Sequence, residues 1–143
     1  MKVTIEGTRW ASLNGSRGNP HAHQALMDAW KQRAELAILR ADRGRLILSD
    51  RRLTFTDPVQ ITATVRRTTN AKADAHNVTP SIKACIDALV ACGVIEDDHD
   101  GIVRRLVIEA GPKAPKPTIE LTVTAATPDP AHPRVELTIE ETP

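Results

Sequence analysis

From Val3 towards Arg9, apolar and polar residues alternate with a period of two, the pattern of a half-buried strand. A stretch rich in Gly, Asn and Ser follows from Ser12 to Pro20, and the period then changes. From His21 to Ala41 the apolar residues Ala22, Ala25, Leu26, Ala29, Trp30, Ala34, Ala37, Ile38 and Ala41 recur at helical spacing. This predicts an amphipathic helix of about five to six turns.

Arg45 to Leu48 reads as a short strand and Val59 to Thr68 as a longer one, because Ile61, Ala63 and Val65 alternate with Thr62, Thr64 and Arg66. Thr79-Pro80 marks a helix start, with Thr at the cap and Pro at the first helical position. Ile82, Cys85, Ile86 and Leu89 form its apolar stripe, and Gly93 stands where a C-terminal cap belongs. An acidic turn leads to a strand over Ile102 to Ala110, then a Pro-rich linker over Gly111 to Pro117. The end of the chain contains a near-repeat, TIELTVTAATP from Thr118 and RVELTIEETP from Arg134. Both copies alternate as strands, and the turn-like TPDPAHP between them predicts a hairpin with a long loop. The expectation is a single α+β domain over residues 1–143, a mixed sheet with two main helices.

Composition narrows the class. With 143 residues, 41% of them apolar and 26% charged, the chain matches one folded globular domain rather than a disordered one. No apolar run reaches the roughly 18–20 residues of a membrane-spanning helix. The opening MKVTIEGTRW holds no apolar stretch long enough for a secretory signal, so a cytoplasmic protein with no membrane partner is expected. Cys85 and Cys92 would stand about 10 Å apart along a helix, too far for a disulfide, and read as reduced thiols. Trp10, Trp30 and Phe55 are the whole aromatic complement, which argues against a binder that stacks single-stranded bases on aromatic platforms.

The net charge of +1 conceals an asymmetry. Arg40 to Lys72 carries net +5, and Asp74 to Asp100 carries net −5. Ordinary surface charge accounts for such a pattern; so does a nuclease, in which phosphate contacts flank carboxylates that hold a metal.

The chemistry concentrates in DAHNVTPSIKACIDALVACGVIEDD, from Asp74 to Asp98. Asp74, His76 and Asn77 precede the helix, and Asp97 and Asp98 follow it. A helix from Pro80 to Ala91 is about 18 Å long, and the five residues from Val94 to Asp98 retrace about 16–18 Å if extended. Asp97 or Asp98 therefore returns towards Asp74 only if the chain reverses at Gly93. Carboxylates gathered in this way repel unless a cation neutralises them. Oxygen donors with open positions suit Mg²⁺ or Mn²⁺, an ion that polarises a phosphodiester and acidifies an attacking water. Lys83, one turn into the helix, is placed to neutralise developing charge or to orient a phosphate. An exposed acidic turn with no such role is the plainer alternative.

This window resembles the RusA family of Holliday junction resolvases, whose signature runs D-x-D-N, a Lys-Ala helix with an Asp four residues after the Lys, then Gly and an Asp-Asp pair. The matching residues are Asp74, Asn77, Lys83-Ala84, Asp87, Gly93 and Asp97-Asp98. The first strand with Trp10 and Ser12-Leu13-Asn14, the strand from Val59 to Arg67, and RVELTIEE from Arg134 are similar to the family's opening, motif-delivering and closing segments. Two departures stand out. His76 replaces the second Asp, and three further residues separate Asn77 from Lys83 than in the shortest members, an N-x-x-P-S-x-K form that resembles phage-borne relatives.

The resemblance implies a Mg²⁺-dependent (or Mn²⁺-dependent) homodimeric endonuclease that acts on branched double-stranded DNA without an organic cofactor. It implies metal binding by Asp74, Asp98 and Asp97 and an essential Lys83. His76 either supplies a nitrogen ligand, acts through water, or leaves the site one charge weaker. Asn77 fits a residue that fixes the turn and supports Asp74. Asp87 fits either an ion pair with Lys83 or a part in the site. Asn14, Arg17, Arg66, Arg67, Lys72, Arg104 and Arg105 are candidate DNA contacts, or simply exposed. His21, His23 and His99 read as surface residues. A nuclease for flaps or forks, or a junction-binding protein that does not cleave, are the alternatives.

Overall fold

The computed structural model describes residues 1–13, 18–41, 55–69 and 75–126, together with the backbone of 136–139. Strand β1 (Lys2–Glu6) leads to helix α1 (Pro20–Ala41) and strand β2 (Val59–Arg66). A 3₁₀ turn (Ala75–Val78) runs into helix α2 (Thr79–Ala91), followed by β3 (Val103–Ala110), β4 (Thr118–Ala125) and β5 (Glu136–Ile139). The sheet order is β1-β4-β2-β3-β5. β2, β3 and β5 run parallel, and β4 is antiparallel to both β1 and β2. The result is a single-domain α+β fold with a mixed sheet and two main helices. Among the described residues no helix is long and apolar enough to cross a membrane.

Alternation decides the faces. Val59, Ile61, Ala63 and Val65 of β2 are buried, and so are Ile119, Leu121 and Val123 of β4. They form one core with Trp30, Ala34 and Ile38 of α1 and with Ile82, Cys85, Ile86 and Leu89 of α2. Each such Ile or Leu contributes about 1.5–3 kcal/mol by leaving water. α2 packs along α1, and α1 packs on β1. The first strand ends at Glu6 rather than Arg9 because Trp30 closes over the next residue. A Cβ on Gly7 would lie 2.4 Å from Trp30 Cζ2, so only glycine fits beneath that ring.

The C-terminal repeat corrects an expectation. Its copies form β4 and β5, but they are not hairpin partners. Both hydrogen-bonding edges of β4 are taken: Leu121 pairs with Val3 of β1 on one side and with Ala63 of β2 on the other. β5 lies beyond β2 and β3, with Leu137 beside Leu106 and Ile139 beside Ile108. Alternation identified two strands; it carried no information about their neighbours. The cap of α2 also differs. Val78 occupies the cap position with no side-chain cap bond, and Thr79 is already helical. The 3₁₀ turn feeds the helix directly, so the Thr79 hydroxyl donates to the His76 carbonyl instead. The short strand expected at Arg45 to Leu48 lies outside the described residues.

Candidate functional site

Helix α2 is the frame of the site. Its last turn closes as expected of a glycine stop. Gly93 has φ +73°, its N–H donates to the Val90 carbonyl at 3.0 Å, and the Val94 N–H donates to the Leu89 carbonyl at 2.9 Å. These two bonds with buried Leu89 and Val94 make a Schellman motif. Val94 and Ile95 are both buried, and the Val94 carbonyl accepts the Phe55 N–H at 2.9 Å. The reversal is therefore anchored before the acidic residues begin.

Past that anchor the chain runs back along the helix. Lys83 Nζ donates to Asp98 Oδ2 at 2.9 Å and lies 3.6 Å from Asp87 Oδ1. The Asp98 N–H donates to Asp97 Oδ1 at 2.8 Å, which fixes the two acids relative to each other. The His99 carbonyl then accepts the N–H groups of Ile102 and Val103 and closes the turn into β3. The hydrogen bond to Asp98 raises the Lys83 pKa above its ordinary 10.5; the neighbouring charges of Asp87 and Asp98 add to this and burial opposes it. The same bond from Lys83 lowers the Asp98 pKa below its ordinary 3.8. Both groups hold their charges through the neutral range. Lys83 is thus a fixed cation rather than a proton acceptor.

The opposite end of α2 is held by buried backbone bonds. Ser81 is fully buried; its hydroxyl accepts the Ala11 N–H at 2.8 Å and donates to the Ala11 carbonyl at 2.9 Å. The Leu13 N–H donates to the Asn77 carbonyl at 2.8 Å. The segment from Ala11 to Leu13 is thereby strapped across the start of α2, and it leads directly to Asn14. Trp10, just before the strap, stacks on Trp30 with ring centroids 5.2 Å apart, and the Arg67 guanidinium lies 5.8 Å from the Trp10 ring centroid.

The structure thus brings together Lys83, Asp87, Asp97 and Asp98. It places His76 and Asn77, both half-buried, in the turn that opens α2, where the His76 carbonyl accepts the Thr79 hydroxyl and the Asn77 carbonyl accepts the Leu13 N–H. Asp74, Asn14, Arg17 and Lys72 lie outside the described residues. Arg66 is engaged on the polar face of the sheet, donating to Glu120 Oε1 at 3.0 Å and to the carbonyls of Pro112 and Lys113. Arg104 and Arg105 are half-buried in β3. Ser81 went unread in the sequence, although a hydroxyl four residues before Cys85 in an apolar stripe is a visible signal for a buried tether.

Asp97 and Asp98 carry oxygen donors, the kind that hard cations take. Asp98 is ionised, its side chain is 32% exposed, and it shares an open turn with the oxygens of Asp97. Among the described residues no three His, Cys, Asp or Glu side chains gather closely enough to hold a metal. Neither a protein-family model nor a curated protein matches the chain.

Proposed function

We propose that this protein is a RusA-like, divalent-metal-dependent endonuclease, a cytoplasmic homodimer that nicks four-way DNA junctions. The observation that carries the reading is the Lys83–Asp98 hydrogen bond. It brings the helix lysine to the acid pair beyond Gly93, the residues on which the motif resemblance rests.

Asp98, Asp97 and Asp74 are the residues that would hold Mg²⁺, with His76 as a further donor. A bound ion would polarise the phosphodiester and acidify an attacking water. The protein's own groups do the rest. Lys83, kept protonated by Asp98, stabilises negative charge that develops on the phosphate. Asp87 shares Lys83 on the same helix face and biases its rotamer towards the turn. Two symmetric nicks need two sites related by a two-fold axis, which a homodimer supplies.

The test is cleavage of a labelled four-way junction with Mg²⁺ and with chelator, with linear duplex, fork and flap substrates alongside. Paired metal-dependent nicks that disappear in Asp98→Asn are expected. Cutting of forks or flaps in place of junctions would move the specificity and keep the chemistry. Tight binding of an intact junction in Mg²⁺ and in Mn²⁺ would remove the catalytic claim and leave a binding protein.

A further inference from the structure

Strand β1 stands at one edge of the sheet, with β4 beside it. Met1 and Val123 exchange both backbone bonds, and the Gly7 N–H donates to the Pro117 carbonyl at 2.8 Å. The odd-numbered residues of the strand therefore turn their backbone groups towards β4, and Lys2, Thr4 and Glu6 turn theirs outward. The Glu6 carbonyl accepts from Arg33 at 3.2 Å. Among the described residues, nothing meets the outward N–H and C=O of Lys2 and Thr4 or the N–H of Glu6. The side chains of all three are exposed, whereas Val3 and Ile5 are buried in the core shared with α1.

Helix α1 overhangs this edge. Trp30 lies over Gly7 and Arg33 reaches Glu6, so the helix continues back along β1 towards Lys2. Arg33, Leu36, Ala37 and Arg40 fall within about 100° of arc and span about 10 Å of the helix. Lys31 and Glu35, whose charges act on the Cys92 thiol at the end of α2, lie on the opposite flank. The overhanging stripe is thus the flank remote from α2. It carries an exposed cation at each end, Arg33 and Arg40. Between them stand Leu36, 53% exposed, and half-buried Ala37.

We propose that the β1 edge takes an extended segment of another polypeptide as an added strand, with the pattern acid-x-apolar-x-acid. Main-chain bonds supply the affinity of strand addition, and alternate side chains supply its specificity. The guest backbone bonds to Lys2, Thr4 and the Glu6 N–H. Its first, third and fifth side chains turn towards α1, where the apolar one covers Leu36 and Ala37 and the acids meet Arg33 and Arg40. The acids stand about 13 Å apart on a strand, within reach of two long cationic side chains. The pattern reads the same in both directions and fits a parallel or an antiparallel guest. A second backbone matches the outward donors and acceptors of β1; a phosphate chain, which offers acceptors alone, does not. The edge is separate from the Lys83–Asp98 turn and would stand if the nuclease reading fell.

Titration of the full chain with acetyl-Glu-Thr-Val-Thr-Glu-amide to about 2 mM, followed by amide NMR, tests the proposal. The amides of Lys2, Thr4 and Glu6 are expected to shift and to exchange more slowly with solvent. Thr4→Pro should abolish binding, since it removes an outward N–H and breaks no bond within the protein. Arg40→Glu, at an exposed position outside the strand, should weaken binding about five- to tenfold and favour the Lys-Thr-Val-Thr-Lys analogue. No shift up to that concentration, shifts confined to other residues, or equal binding of both peptides by the wild type overturns the proposal. So does binding that survives Thr4→Pro. Protection of the edge amides that rises with protein concentration alone would assign the edge to a second copy, and shifts caused by junction DNA but not by peptide would assign the basic flank to nucleic acid. Either result also overturns it.

Discussion

The buried and the exposed sides of α2 are fastened by opposite kinds of interaction. At its start, Ser81 and Asn77 hold the Ala11–Leu13 strap through three short bonds to backbone groups, two of them at a fully buried hydroxyl. Across its exposed side, the returning acidic turn is tied by Lys83, whose side chain is 59% exposed, to Asp98 and Asp87. Buried neutral bonds are costly to break because the orphaned groups have no water to turn to. Exposed ion pairs contribute little to stability because water and salt screen them. The buried side is therefore scaffold. The exposed side holds a cluster of charges that a phosphate or a cation can reach, and the fold loses little if their pairing is rearranged.

The sharpest way to separate the two sides is to measure activity and stability on the same variants. Lys83→Met is expected to reduce junction cleavage about 10²- to 10³-fold, the usual effect of removing one preorganised electrostatic stabiliser, with a thermal midpoint within a few degrees of wild type. A large loss of stability with cleavage intact would reverse the assignment of the two sides. Ser81→Val should do the converse, costing about 2–4 kcal/mol because the Ala11 N–H and C=O both lose their partner, as read by urea unfolding. If that variant is as stable as wild type, the strap is not held by this bond.

Gly93→Ala is expected to cost about 1–2 kcal/mol, since φ +73° is strained for an L side chain although no atom obstructs the added methyl. Its diagnostic signature is a weakened acidic turn, so cleavage should fall more than stability. An unaffected cleavage rate would show that the turn does not depend on the Schellman geometry. The smallest effect concerns pH. The Asp98 contribution to stability is present above pH 3.8 and is lost as pH falls below it; the Lys83 contribution is present below pH 10.5 and is lost as pH rises above it. Discounted for exposure, the pair is worth under about 1 kcal/mol. Unfolding free energies of wild type and Asp98→Asn should therefore differ between these limits and converge below pH 3.8.

Local signals carried most of what the sequence disclosed. Gly93 and the apolar stripe of α2 are decided within a few residues of themselves, and a glycine after the stripe forced the reversal that brings Asp98 to Lys83. The neighbour of β5 is decided by which sheet edges remain open once β1, β2 and β4 have paired, and no alternation within TIELTVTA or RVELTIEE encodes that. The partner of Ser81 was similarly opaque, because Ala11 lies seventy residues away. The likeness of the two terminal strands drew attention to a pairing with each other when both edges of one were already filled.

The central claim of the proposed function is that Asp98, Asp97 and Asp74 hold one divalent ion. Its most direct test is Mn²⁺ binding by isothermal titration calorimetry to wild type, Asp98→Asn and Asp74→Asn, without DNA. The account predicts one Mn²⁺ per chain in the wild type, Mg²⁺ competition for it, and at least tenfold weaker binding in each variant. Equal binding by all three proteins, or none by the wild type, would contradict it.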